Sequence, residues 1–345
     1  MGLNSSENAL SAKIRALYGK RITKSQFSEL CYKGSVFEII GFLKSIPLYK
    51  KDFEEINESS EHIQLVEDIL TKSILEVYSS LSKFASKESK EFFKSFFFYA
   101  ECESIEYLVK LISYGQQESF KSKIPPDFMP YKGFDIKALY SVENYNQLLL
   151  ALKKTVYFDA LKSVPIDSSG KPNFFYCECY LRRLYYKVLI DTIKKLYKGK
   201  AKDQIVSLFS LEAELQNLVT IGKIKKLYDI SETETKKLLV DLSFKLSKQK
   251  LEKLVSSKNE AEYYGLLNLT PYNFDVGSLY SLEQKCDETI LSESKKAIVY
   301  GGENPPLSFS GYVLFKSIEV KNLKTIIHGI SSNKSPDKIF KSLIF

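Results

Sequence analysis

Residues 315–329 read FKSIEVKNLKTIIHG, and residues 209–222 read FSLEAELQNLVTIG. Both carry Glu-x-x-Asn-Leu-x-Thr-Ile. One copy has Glu214, Asn217, Leu218, Thr220 and Ile221; the other has Glu319, Asn322, Leu323, Thr325 and Ile326. Residues 99–112, YAECESIEYLVKLI, form a looser copy. There Glu103 keeps the acidic position, while Glu106 and Tyr107 stand in place of Asn-Leu. A phrase that recurs at intervals of about 105–110 residues predicts one unit used three times, and a repeat of this kind fixes the architecture first.

A second echo supports the repeat. Residues 38–43, EIIGFL, are followed by Pro47 and Tyr49; residues 262–267, EYYGLL, are followed by Pro271 and Tyr272. Gly41 and Gly265 thus stand in register. Because a helical Gly costs ~1 kcal/mol relative to Ala, its recurrence predicts close helix approach at both positions.

Working outward, apolar residues recur every three or four positions over 61–84, the period of an amphipathic helix. Further long helices are expected at 89–113, 173–197, 201–228, 281–300 and 307–331, each pair preceded by short helices. Residues 116–132, with Gly115, Pro125, Pro126 and Pro130, read as a linker. The repeats span 1–124, 125–230 and 231–345. No substantial strand is expected, so the fold class is all-α: three similar helical domains, each of short helices plus a long antiparallel pair.

Composition agrees. Gly (15) and Pro (10) are scarce in 345 residues, which favours long helices over turn-rich sheets. Trp is absent, so the 23 Phe and 23 Tyr carry the aromatic packing. The net charge of +8 comes mostly from Lys with acids interleaved, the pattern of a solvated surface. The densest basic run, Lys194 to Lys202, gathers where a long helix is expected to end, at Gly199. Five Cys without framework spacing read as free thiols in a reducing compartment. No signal peptide is visible, and the longest apolar run, residues 96–100, is far short of the ~20 residues of a spanning helix.

Chemistry-bearing motifs are few. No phosphate loop or Gly-x-Gly-x-x-Gly is present. His62 and His328 are far apart in sequence, and both read as structural. Cys177 and Cys179 have the wrong spacing for zinc and read as buried apolar fillers. Glu214 with Asn217, and Glu319 with Asn322, are i,i+3 neighbours on a helical face. An active site rarely recurs with a repeat, whereas a structural tie must, so these pairs read as ties between helices within each unit. No catalytic, cofactor-binding or metal-binding residue is assigned, and Gly41, Glu103, Glu214, Asn217, Gly265, Glu319 and Asn322 form the structural repeat motif.

Three stretches carry a family resemblance: residues 14–49 (IRALYGKRITKSQFSELCYKGSVFEIIGFLKSIPLY), 212–227 (EAELQNLVTIGKIKKL) and 306–330 (PLSFSGYVLFKSIEVKNLKTIIHGI). The chain resembles the C subunit, also called the d subunit, of the V-type and archaeal A-type rotary ATPases. The resemblance implies three helical domains around a pseudo-threefold axis, forming a funnel. It implies a non-catalytic place in the central stalk, with no cofactor, between the shaft of the D and F subunits and the membrane rotor ring. The protein would lie peripherally on the cytoplasmic face, as a monomer within the complex, and couple rotation to proton or sodium transport. The +8 balance adds an expected weak contact with anionic lipid. The alternative is a generic α-helical scaffold with an unknown partner. A nucleic-acid-binding module lacks a basic helix with interleaved aromatics, and a helical enzyme lacks paired acidic motifs and a usable His.

Overall fold

A computed structural model describes residues 5–54, 56, 63–86, 89–123 and 133–345. Its regular elements are helices; Ile166 and Pro172 form one isolated antiparallel bridge, with no strand among the described residues. The chain is all-α. Short helices α1 (Ser5–Gly19), α2 (Lys24–Cys31), α3 (Val36–Ser45) and α4 (Lys50–Phe53) precede the long α5 (Ile63–Ser82) and α6 (Ser89–Tyr114). A second run, α7 (Phe120–Lys123), α8 (Ile136–Leu139), α9 (Tyr145–Leu152) and α10 (Val156–Leu161), leads to the long α11 (Phe174–Leu196) and α12 (Gly199–Leu227). A third, α13 (Glu232–Leu238), α14 (Lys248–Val255) and α15 (Glu260–Asn268), leads to α16 (Leu279–Tyr300) and α17 (Pro305–Ser331), and α18 (Pro336–Lys341) follows.

The short helices are bounded by their own sequence. Ser35, Asn144 and Asn259 each accept a hydrogen bond from the third amide of α3, α9 and α15. Thr23 and Gln26 form a full capping box on α2. Each cap contributes about 1 kcal/mol, enough to fix where a helix of two or three turns begins.

Contacts divide the chain into two compact units, Met1–Ser86 with Glu283–Phe345, and Lys87–Leu282. Helices α5 and α6, expected together in repeat 1–124, thus belong to different units. In the first unit α17 is buried on every face from Pro305 to Lys316, and beyond that it turns Ser317, Lys321 and His328 to the surface. Leu323, Ile326 and Ile327 share one core with Ile39, Ile40 and Leu43 of α3 and with Val66 and Leu70 of α5. In the second unit α6 packs along α11, and α12 packs on α11 and α15. Phe92 meets Phe96 edge-on at 5.2 Å, and Phe96 lies 6.0 Å from Phe209 of α12. Such ring pairs add directional packing to the area they bury.

Gly41 and Gly265 are exposed, and a Cβ at either would meet nothing within 4 Å. Sequence register does not reveal which face of a helix is covered. Close approach occurs instead at Gly311, where a Cβ would lie 2.7 Å from that of Ala297 and 2.8 Å from the Ser294 carbonyl oxygen on α16. The stretch read as a linker is partly helical: Gln117–Ser119 form a 3-10 turn, and Phe120 in α7 is fully buried. Its Pro-rich part, 124–132, lies outside the described residues. The basic run is split by Gly199, whose φ of +57° starts α12. Lys194 and Lys195 sit in the last turn of α11, where cations suit the helix dipole, but Lys200 and Lys202 fall in the opening of α12.

Candidate functional site

The recurring acids are buried and multiply bonded. Glu214 of α12 accepts backbone N–H bonds from Phe244 at 2.8 Å, Lys245 at 2.9 Å and Leu246 at 3.0 Å, and the Tyr272 hydroxyl donates to it at 2.5 Å. Glu319 of α17 accepts from the Ile22 amide at 3.0 Å and from the Tyr49 hydroxyl at 2.8 Å. Lys316, one turn earlier and equally buried, donates to it at 2.9 Å. A carboxylate held by several donors is one that the interior can tolerate as a charge.

On α6 the corresponding acid is Glu101. It accepts from the Gly133 amide at 2.7 Å and from the Tyr157 hydroxyl. Glu103, assigned from the sequence to that place, is exposed. In Glu101-x-x-Ser104-Ile105 the spacing of Glu214-x-x-Asn217-Leu218 is kept, with Ser in place of Asn. Burial raises the pKa of Glu101, against the two hydrogen bonds that favour its charge.

The Asn residues act as backbone mimics. Asn217 donates its amide to the Val240 carbonyl at 2.8 Å and accepts from the Val240 N–H at 2.8 Å. Asn322 makes the same pair with Ile344, at 2.8 and 2.9 Å. Each side chain thereby satisfies a buried chain segment that has no helix of its own.

The acid ties join separate stretches of the chain, whereas Asn322 and Ile344 both lie within 231–345. Glu101 is held by residues of 125–230, and Glu214 by residues of 231–345. Glu319 is held by Ile22 and Tyr49, from 1–124. The three tyrosines follow α3, α9 and α15, the three helices capped alike.

A second cluster was not read from the sequence. On α11, Arg182 pairs with Glu178 and donates to Thr220 of α12 at 3.0 Å. Burial raises Glu212 to about 7, offset by its Tyr186 bond and by Arg182. Glu106 is also raised, first by burial and then by Glu103. The i,i+4 pair Glu178–Arg182 was legible as a helical ion pair, but Thr220, 38 positions on, was not.

Cys177 and Cys179 are both fully buried, and burial pushes each thiol up to about 12. His328 Nε2 lies 2.6 Å from Glu67 Oε1 at the surface of the first unit. His62 lies outside the described residues. Among those residues no group of three or more His, Cys, Asp or Glu could hold a metal ion, and no helix is long and apolar enough to cross a membrane. A cleft of about 920 Å³ between α10, α11 and α13 is lined by charges of both signs, among them Asp159, Arg183, Lys187 and Lys237.

The sequence model of the ATP synthase (C/AC39) subunit family matches residues 10–341. The chain belongs to that family. Among curated relatives, the A-type ATP synthase C subunit of Methanocaldococcus jannaschii is 25% identical over 349 residues, covering 97% of this chain and 85% of the relative. That of Methanosarcina acetivorans is 23% identical over 341 residues, covering 96% and 91%. That of Thermococcus kodakarensis is 23% identical over 337 residues, covering 95% and 87%. A C subunit of this kind is a structural part of its complex rather than a catalytic one. The clamps fit that role, since their backbone donors fix non-helical segments against the long helices.

Proposed function

We propose that this chain is the central-stalk subunit of a rotary V/A-type ATPase, joining the shaft of the D and F subunits to the membrane rotor ring. It transmits torque between ATP turnover and proton or sodium transport. The observation that carries this reading is the family match over residues 10–341, together with relatives named as the C subunit of A-type ATP synthases.

On this reading the repeats 1–124, 125–230 and 231–345 are three similar helical domains about a pseudo-threefold axis, arranged as a funnel around the shaft. The protein lies peripherally on the cytoplasmic face, one copy per complex, with a weak contact to anionic lipid. A torque adaptor needs stiffness, and close-packed cores transmit strain with little compression. Multiply bonded buried carboxylates that tie each repeat to the next add to that stiffness.

The reading is tested by add-back. Membrane vesicles carrying the complex stripped of this protein should hydrolyse ATP without pumping, and the purified chain should restore ATP-driven ion uptake. Uptake that is equal with and without the chain would refute the assignment.

A further inference from the structure

A cavity of about 360 Å³ in the first unit is formed by the end of α1, the start of α2 and the facing sides of α16 and α17. Arg21, Lys24 and Lys295 line it, over apolar walls that include Phe27, Phe315 and Phe345. Arg21 and Lys295 are half-buried. None of the three cations has an acidic partner within ion-pair distance among the described residues, although acids interleave elsewhere on the surface.

The side chains are held in place. Arg21 donates to the Tyr18 carbonyl at 3.0 Å, and its guanidinium lies 4.3 Å from the centre of the Tyr18 ring. The Lys24 ammonium lies 4.9 Å from the centre of the Phe345 ring. Lys24 also opens α2, adding a cation to the positive end of a helix dipole. Their positive charges act on one another: the pKa of Lys295 is lowered by burial, then by Arg21 and Lys24. One acidic side chain, Glu319, lies in the wall, but its carboxylate is taken up by Ile22, Tyr49 and Lys316. The cavity therefore keeps an excess of positive charge, against the like-charge repulsion that folding must overcome.

We propose that this cavity, walled by Arg21, Lys24 and Lys295, is a binding site for a compact anion bearing phosphoryl groups. Cationic side chains converging on a partly desolvated volume recognise phosphoryl oxygens by charge-assisted hydrogen bonds, with Arg supplying a planar fork. The apolar walls limit solvent access beside the half-buried Arg21 and Lys295 and strengthen contacts there, while Lys24 is exposed. The phosphoryl group could belong to a soluble ligand or to a lipid headgroup, and both offer the same oxygens.

Two arms separate the sources. The isolated full chain is titrated calorimetrically with inorganic pyrophosphate, and sedimented with vesicles of phosphatidylcholine alone or mixed with phosphatidic acid. The expected result is saturable binding at one site, weakened about tenfold or more by Lys24→Gln with Lys295→Gln. Lys187→Gln with Lys194→Gln, on α11 in the other unit, should leave binding unchanged. Thermal melts of the double variant check folding; relief of repulsion should leave its Tm equal to or above that of the parent. Pyrophosphate binding without vesicle capture assigns a soluble ligand. Capture by phosphatidic acid vesicles that depends on Lys24 and Lys295 assigns a headgroup. No saturable binding in either arm, or equal binding by the parent and the folded double variant, would overturn the proposal.

Discussion

The Tyr49 hydroxyl donates to Glu319 at 2.8 Å across 270 positions of chain, and Tyr272 makes the same bond to Glu214 at 2.5 Å. Tyr157 serves Glu101 likewise. In each case a tyrosine that follows a capped short helix locks a carboxylate on a long helix from another part of the sequence. Losing that hydroxyl leaves a buried acid short of a donor, and at Tyr49 also removes one of the two acceptors of Lys316. Tyr49→Phe should therefore destabilise the first unit by about 1–3 kcal/mol, read as a lower denaturant midpoint.

Asn217→Leu leaves the buried Val240 N–H without its acceptor and removes one of two donors to the Val240 carbonyl, the Leu242 N–H remaining at 2.9 Å. A loss of roughly 1–3 kcal/mol follows from one orphaned N–H. Asn322→Leu should behave alike through Ile344. An unfolding midpoint unchanged in either variant would mean that water replaces the amide there.

The acid on α6 that takes part in the repeat can be told from its neighbour. Glu101→Gln disrupts the bonds to Gly133 and Tyr157 and should lower stability measurably. Glu103→Gln removes an exposed charge that raises the pKa of Glu106. It should change stability by no more than about 0.5 kcal/mol, or raise it slightly. Chemical denaturation of the two variants side by side decides between them.

Glycine substitutions should split by position. Gly41→Ala and Gly265→Ala fill open space on exposed helix faces and should each stabilise by about 0.5–1 kcal/mol. Gly311→Ala drives a methyl against Ala297 and the α16 backbone and should cost about 1–3 kcal/mol. Equal melting shifts for all three would contradict the packing at Gly311.

Glu212 gives a pH signature. Its pKa is raised by burial to about 7, so the folded state binds its proton more tightly than the unfolded state does. The native state is accordingly favoured at low pH, and that advantage is lost as pH rises from the ordinary carboxylate range through about 7. Glu212→Gln should match the parent near pH 4 and exceed it in stability near pH 8, by an amount on the order of 1–3 kcal/mol. A difference that stays constant across that range would show that Glu212 titrates normally.

Much of the fold was legible in the sequence because helices announce themselves by period. The six long helices fall within a few residues of the positions set by apolar spacing, and Glu214, Asn217, Glu319 and Asn322 stand out by repetition. Their partners were harder to find. Val240, Phe244 and Ile344 contribute backbone groups, which carry no residue signature. Glu101 escapes a match of letters, which favours Glu103, although its i,i+3 spacing to Ser104 keeps the pattern. Gly41 and Gly265 mislead because exposure depends on tertiary neighbours, which register alone does not supply.

On the proposed function, this chain seats the rotary shaft. Titration calorimetry of the full chain against purified D–F complex tests it most directly. Saturable binding near one to one, with both proteins folded, is the predicted result. A correctly folded helical chain that shows no heat and no co-elution with the D–F complex would contradict it.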